Sequence, residues 1–312
     1  MTGWLTRPVR GVGALAPSEQ QQECVCFVVA DRKEGRSPVG TALVVGLPGT
    51  DGQWFRYLVT AAHVVRDGGP RWIRLRRRSG GEPVDEPTGE WTLHDEYDLA
   101  ATPCDIDFRA NYVLRYQEEE FFSDKWPPGY PPAPGARAYF IGLLPSVSSL
   151  GDAGIPMVRG AIVGATYVPA LKILDKDAKV ERLQPPLHLV DCYSRSGFSG
   201  SPVYVETLQY RQFYDKSLPQ DKQFIDADFT IHSALFGILI GHLPDVKLHK
   251  DEPDKNAGIG LVVPVGGIRQ LLDYPKLREF RDQSEREHQR RKREGRDGVG
   301  IADSGTHDEG RS

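Results

Sequence analysis

Two stretches decide how this chain reads: Thr60-Ala61-Ala62-His63, closing an apolar run from Tyr57, and Gly197-Phe198-Ser199-Gly200-Ser201-Pro202 further along. Each carries one half of a nucleophilic catalyst. A serine hydroxyl attacks a carbonyl only when a base within hydrogen-bond reach takes its proton, and His63 is the candidate base for Ser199. The imidazolium that results needs a carboxylate on its other nitrogen to fix tautomer and orientation. Asp98 is the candidate. Asp95 and Glu96 lie near it, but Asp98 alone opens the apolar Leu99-Ala100-Ala101. The negative oxygen of a tetrahedral intermediate is stabilised by backbone N–H donors, here those of Gly197 and Ser199. Glycine at 197 suits the tight turn this demands, and Gly200 permits close approach behind the nucleophile.

The order His63, Asp98, Ser199 discriminates between folds, because the same three side chains occur on unrelated scaffolds in different orders. With its flanking residues, it resembles the trypsin-like serine peptidases, and within them the bacterial HtrA-type and glutamyl-endopeptidase-type catalytic domains. The likeness covers roughly residues 21 to 275, and the motifs around His63 and Ser199 are its specific part. Tyr139-Phe140-Ile141-Gly142, Arg159-Gly160-Ala161-Ile162 and Gly258-Ile259-Gly260-Leu261-Val262-Val263-Pro264 are similar to strand motifs of HtrA-type domains. The resemblance implies an all-β fold of two six-stranded antiparallel barrels of the chymotrypsin type, with a C-terminal helix and the active site between the barrels. An esterase of the α/β-hydrolase type, whose nucleophile elbow Gly197-Phe198-Ser199-Gly200 partly matches, fits less well. Position 201 is Ser instead of Gly, and strands here alternate with turns, not with helices.

Several positions depart from the relatives. No PDZ-sized segment follows the catalytic region, unlike HtrA. Phe198 stands where an Asp would receive a new N-terminus in zymogen activation. The resemblance puts the floor of the specificity pocket at Tyr193, six residues before Ser199, so no buried carboxylate awaits Arg or Lys. It puts the pocket wall at Ile240, Gly241 and His242. Glutamyl endopeptidases carry a histidine where this chain has Leu239, which removes support for acidic specificity.

Composition bounds the rest. At 312 residues, a two-barrel unit of about 200 to 250 residues leaves room for insertions and tails. With 33 Gly and 24 Pro among short apolar runs, strands joined by turns are expected over long helices. A net charge of -4 gives no reason to expect nucleic acid as partner. No apolar stretch of signal-peptide length follows Met1–Pro8 and no run of about 18 apolar residues occurs, so a cytoplasmic protein without membrane contact is expected. The four cysteines, Cys24, Cys26, Cys104 and Cys192, are too few and irregular for a disulfide framework and read as buried, reduced thiols. No metal or organic cofactor is implied: Asp251, Glu252 and Asp254 lack a calcium-loop spacing.

Along the chain, residues 1–20 read as an arm, 21–125 as a first barrel carrying His63 and Asp98, and 126–135 as a stiff Pro-rich linker. Residues 136–272 read as a second barrel carrying Ser199, with an insertion at 206–230. Residues 273–312 read as a C-terminal helix followed, after Gly295, by a disordered charged tail, with Arg290–Arg293 on a solvated helix face. Strands are expected at 25–30, 41–45, 55–60, 72–75 and about 112–116, then at 138–141, 158–163, 187–191, 203–205, 235–240 and 260–263. The expectation for function is an intracellular serine endopeptidase that hydrolyses peptide bonds of protein or peptide substrates through an acyl-enzyme on a Ser-His-Asp triad, open to regulation by an activating protein partner. The alternative is a latent or non-catalytic peptide-binding module on the same fold.

Overall fold

The computed structural model describes residues 19–33, 35–66, 71–106, 116–117, 132–142, 152–169, 172–174, 181–183, 185–192, 197–214, 224–244 and 256–299. Its first sheet is built on Val25–Arg32 (β1), Gly35–Pro48 (β2) and Trp54–Ala61 (β3), paired antiparallel in sequence order. Residues 25–30 and 42–45 are buried at every position, the continuous pattern of strands covered on both faces. Arg71–Leu75 (β4) and Val84–Pro87 (β5) extend the sheet beyond β1. On the other side, Thr92–Leu93 (β6) pairs with Leu99–Pro103 (β7), which pairs with β3, and Tyr116–Gln117 (β8) lies parallel to β2.

In place of the expected six-stranded first barrel there is an eight-stranded sheet of path β5-β4-β1-β2-β3-β7-β6, whose two ends do not pair among the described residues. The end strands are poor ladder partners: β5 stops at Pro87, which has no N–H to give, and β6 is two residues long. Of the strand expected near 112–116, only its last residue, within β8, lies inside the described residues.

Every expected strand of the second half is present. Arg137–Gly142 (β9), Met157–Val168 (β10), Leu187–Asp191 (β13), Pro202–Tyr214 (β14), Phe224–Pro244 (β15) and Asn256–Pro264 (β16) close into a barrel in the order β10-β13-β16-β15-β14-β9. Lys172–Leu174 (β11) and Glu181–Leu183 (β12) pair antiparallel as a separate two-stranded sheet. The region read as an insertion at 206–230 is largely strand. β14 and β15 stay paired from Glu206↔Ser233 out to Tyr214↔Phe224, so the barrel hairpin continues as a two-stranded arm. Thr, Tyr and Phe recur along 207–214, and their preference for pleated backbone outweighs the Gln and Arg between them.

Fully buried Phe27, Leu43, Tyr57, Leu58, Leu75 and Leu99 fill the first sheet's side of the core, and Phe140, Phe198, Tyr204 and Phe236 the barrel. Phe198, next to Ser199, packs edge-on against Phe140 of β9 with ring centroids 5.0 Å apart. Burying such a side chain stabilises the turn that carries it by about 1.5–3 kcal/mol.

Among the described residues are four α-helices, Glu19–Glu23 (α1), Ala62–Val65 (α2), Val265–Leu272 (α3) and Pro275–Val299 (α4), and a 3-10 turn at Thr50–Gly52. The C-terminal helix is therefore two. Pro275 starts a new helix, where its missing N–H costs nothing, after α3 has buried Val265, Ile268, Leu271 and Leu272. Helix α4 is fastened to β3 by the Tyr57 hydroxyl, which donates to the Leu277 carbonyl at 3.1 Å, and to α3 by Arg281, which donates to the Leu272 carbonyl at 2.6 Å. It runs to Val299, past Gly295 where a tail was expected, with Arg290–Arg293 exposed as anticipated. Residues 1–18, the linker residues 126–131, the cluster at 251–254 and the tail from 300 lie outside the described residues.

Cys24, Cys26 and Cys192 are buried and Cys104 half-buried, all four as free thiols. Burial pushes the Cys104 thiol up to about 12 and holds Cys26 well above the usual thiol range, as expected of cysteines used as small apolar groups. Among the described residues no helix is long and apolar enough to cross a membrane.

Candidate active site

Strand register brings the first two candidate residues together. Ala61, the last residue of β3, pairs with Leu99, the first of β7. The residues just beyond that pair, Ala62 and Asp98, must then meet, and the Ala62 N–H donates to the Asp98 carbonyl at 3.1 Å. Helix α2 begins there, so His63 turns back over Asp98. Ala61 and Ala62 are wholly buried at this crossing, which explains two consecutive small residues. The Asp98 carboxylate accepts the His63 backbone N–H at 2.9 Å on Oδ1 and faces His63 Nδ1 at 2.6 Å with Oδ2. Arg66, one turn on, stands 3.6 Å from Oδ1. An ionised carboxylate only accepts, so the neutral imidazole carries its proton on Nδ1 and leaves Nε2 with a lone pair. Among the described residues Nε2 has no hydrogen-bond partner.

The three neighbouring carboxylates separate in role. Asp95 accepts from the Tyr274 hydroxyl at 3.0 Å, tying this loop to the residue just before α4. Glu96 is exposed, and Asp98 alone reaches His63. The loop between β6 and β7 is shaped by His94, whose Nδ1 accepts the N–H groups of Glu96 at 3.1 Å and Tyr97 at 3.2 Å. Burial holds His94 below the ordinary histidine range, which keeps that nitrogen an acceptor. The motifs carried no signal for His94.

The Ser199 turn leans on both halves of the molecule. Gly197 and Gly200 have φ of +98° and +90°, the left-handed region that strains any residue with a Cβ. A Cβ on Gly200 would lie 1.9 Å from the Thr41 carbonyl oxygen and 2.4 Å from Thr60 Oγ1. From β2, Thr41 donates its N–H to the Ser199 carbonyl at 2.9 Å and its hydroxyl to the Gly197 carbonyl at 3.1 Å. From β15, Leu239 accepts the Gly200 N–H at 2.8 Å and donates to the Ser201 carbonyl at 2.9 Å. Gly40 lies between the two halves of the candidate site: a Cβ there would lie 2.7 Å from Val64, next to His63, and 3.2 Å from the Ser199 carbonyl oxygen. Among the described residues, the N–H groups of Gly197 and Ser199 have no acceptor and Ser199 Oγ has no partner.

Of the residues assigned to the specificity pocket, Tyr193 lies outside the described residues. Ile240 is buried at a bulge of β15, and Gly241 and His242 follow it, half-buried, as the strand leaves the nucleophile turn. Among the described residues, a Cβ added to Gly241 would meet nothing within 4 Å. Gly40, Thr41 and Thr60, which support the Ser199 turn, were not foreseen. In sequence they are ordinary members of two strands, and only the approach of the two halves gives them a role.

The sequence matches no family model and no curated protein. Its fold does recur among solved structures. The protease domain of MamO from Magnetospirillum magneticum, in its apo form, superimposes with a TM-score of 0.51 at 16% identity, over 82% of this chain and 98% of that one. The scabies mite inactivated protease paralogue S-I1 gives 0.45 at 14% identity over 82% and 94%, and the thermostable serine protease AL20 from an extremophilic microorganism 0.44 at 10% over 82% and 97%. Identities this low speak for the backbone alone. The barrel topology, the His63–Asp98 register and the MamO superposition together establish that this chain has the chymotrypsin-like fold of the trypsin-like serine proteases.

Proposed function

We propose that the protein is a serine endopeptidase that cleaves peptide bonds through an acyl-enzyme on Ser199. The observation that carries this reading is the clamp of Asp98 on both His63 N–H groups, which leaves Nε2 as the basic nitrogen. In the reaction, Nε2 takes the Ser199 proton as Oγ attacks the substrate carbonyl, and Asp98 stabilises the imidazolium. The carbonyl electrons move onto an oxyanion held by the N–H groups of Gly197 and Ser199. Collapse expels the amine with the proton from Nε2, and water, activated by the same nitrogen, releases the acid. The substrate is a polypeptide lying along β15, whose Gly241 leaves room for it. Tyr193 offers no negative charge for an Arg or Lys side chain.

A second reading, a module of the same fold that stays latent until a protein partner orders its cleft, is favoured by one observation. His63 Nε2 and Ser199 Oγ do not hydrogen-bond to each other in this structure. Catalytic hydrogen bonds do tighten on substrate binding, which accommodates the first reading as well. Intact-mass detection of a fluorophosphonate adduct on wild type, Ser199→Ala and His63→Ala tests both. Stoichiometric labelling of wild type that both substitutions abolish is the expected result. A folded but unlabelled wild type sinks the enzyme reading, while full turnover of casein by the isolated protein sinks the latent one.

A further inference from the structure

Resting on Ser199 as nucleophile, the structure assigns Thr41 as the residue that positions the oxyanion turn. Thr41 is completely buried on β2, yet both its polar groups nearest the turn point across to the barrel half. Its N–H holds the Ser199 carbonyl at 2.9 Å and its hydroxyl the Gly197 carbonyl at 3.1 Å, while the Phe198 carbonyl between them is held by the Ser201 N–H at 2.9 Å. Three successive carbonyls are thereby fixed, and with them the peptide planes that aim the Ser199 N–H. Gly197 is the loosest joint of the turn, since glycine at φ +98° resists rotation least. Among the described residues, the Thr41 hydroxyl is the group that holds its carbonyl.

The surroundings keep that hydroxyl in place. The Thr41 carbonyl is itself held by Thr60 Oγ1 at 2.6 Å, and a β-branched side chain in a strand has few rotamers. Gly142 of β9 faces the same spot: a Cβ there would come within 2.8 Å of Thr41 Oγ1 and 1.9 Å of Ser201 Oγ. The absence of a side chain at 142 makes room for a buried pair of hydroxyls under the nucleophile. Thr41 touches no reacting atom, so its part is alignment.

Thr41→Val keeps shape and backbone contacts and removes only the donor; Thr41→Ser keeps the donor. Deleting an oxyanion donor outright costs ~10²–10³-fold in kcat, and here both donors remain with looser aim, so about tenfold is expected for the valine variant. With a p-nitrophenyl ester, kcat should fall about tenfold while KM stays within about twofold, and the serine variant should restore kcat at an unchanged Tm. Wild-type kcat in Thr41→Val overturns the assignment, as does a Thr41→Ser as slow as the valine variant, which would mean packing and not the donor matters. An unreactive, folded wild type is a different failure: it removes the reaction itself, and both readings fall together.

Discussion

Replacing Gly200 by alanine concentrates several costs on one atom. The new Cβ would sit 1.9 Å from the Thr41 carbonyl oxygen, well inside any tolerated contact, and that oxygen belongs to strand backbone. It has to move by more than an ångström. Moving it breaks the 2.6 Å bond from Thr60 Oγ1, at a cost of about 1 kcal/mol, and overpacks the junction at about 1–3 kcal/mol. The backbone at φ +90° adds about 1–2 kcal/mol for any residue with a Cβ. Together Gly200→Ala should destabilise the fold by about 3–6 kcal/mol, which in a domain of this size lowers Tm by roughly 6–20 °C. Thermal unfolding followed by circular dichroism reads the loss directly, and fluorophosphonate labelling at a temperature where the variant is folded reads the turn. A variant that melts within about 3 °C of wild type and labels at the same rate would show that the Ser199 turn and β2 are not packed as described, and the derivation of the site from that contact would fail.

Two further outcomes follow from the geometry. Asp98→Asn keeps an acceptor for the His63 backbone N–H but presents an amide to Nδ1, favouring the wrong tautomer, so kcat for an ester substrate should fall by ~10⁴-fold with little change in KM. His188, buried on β13 and stacked on Phe236 at 4.0 Å, is held down to about 4 by burial, with its Nδ1 accepting the Tyr167 N–H. Since the unfolded chain keeps an ordinary value near 6.5, it binds more protons than the folded protein as pH falls from there toward 4. Stability should drop through that window by up to about 3 kcal/mol, and urea unfolding of His188→Phe, which retains the stack, should show a flatter acid limb.

The second barrel was legible because its strands are apolar runs bounded by Gly and Pro, a pattern set within each segment. The first sheet was legible only in its centre. β5, β6 and the pairing of β7 depend on partners rather than on their own composition, and Val84–Pro87, with two acids and a proline, shows no alternation to read. The strand pairing within 206–230 was not legible for a related reason. Polar residues between Tyr and Phe look like loop chemistry until the second strand supplies a ladder. In the candidate site, the contact of His63 with Asp98 and the glycine turn at Ser199 were readable because each lies at a fixed step from a strand end. Thr41 was not, because its part depends on a contact with residues 156 and 158 positions away.

That division has a physical root. His63 and Asp98 are set by one register within the first sheet, Ala61 against Leu99. Ser199 is set by the barrel, through Leu239 on β15 and Phe198 against Phe140. The His63 side and the Ser199 turn meet through a different set of contacts, in which Gly40 and Thr41 of β2 approach the backbone of that turn. Glycine at 40 is what lets the halves close, since a Cβ there must push apart Val64 on one side and the Ser199 carbonyl on the other.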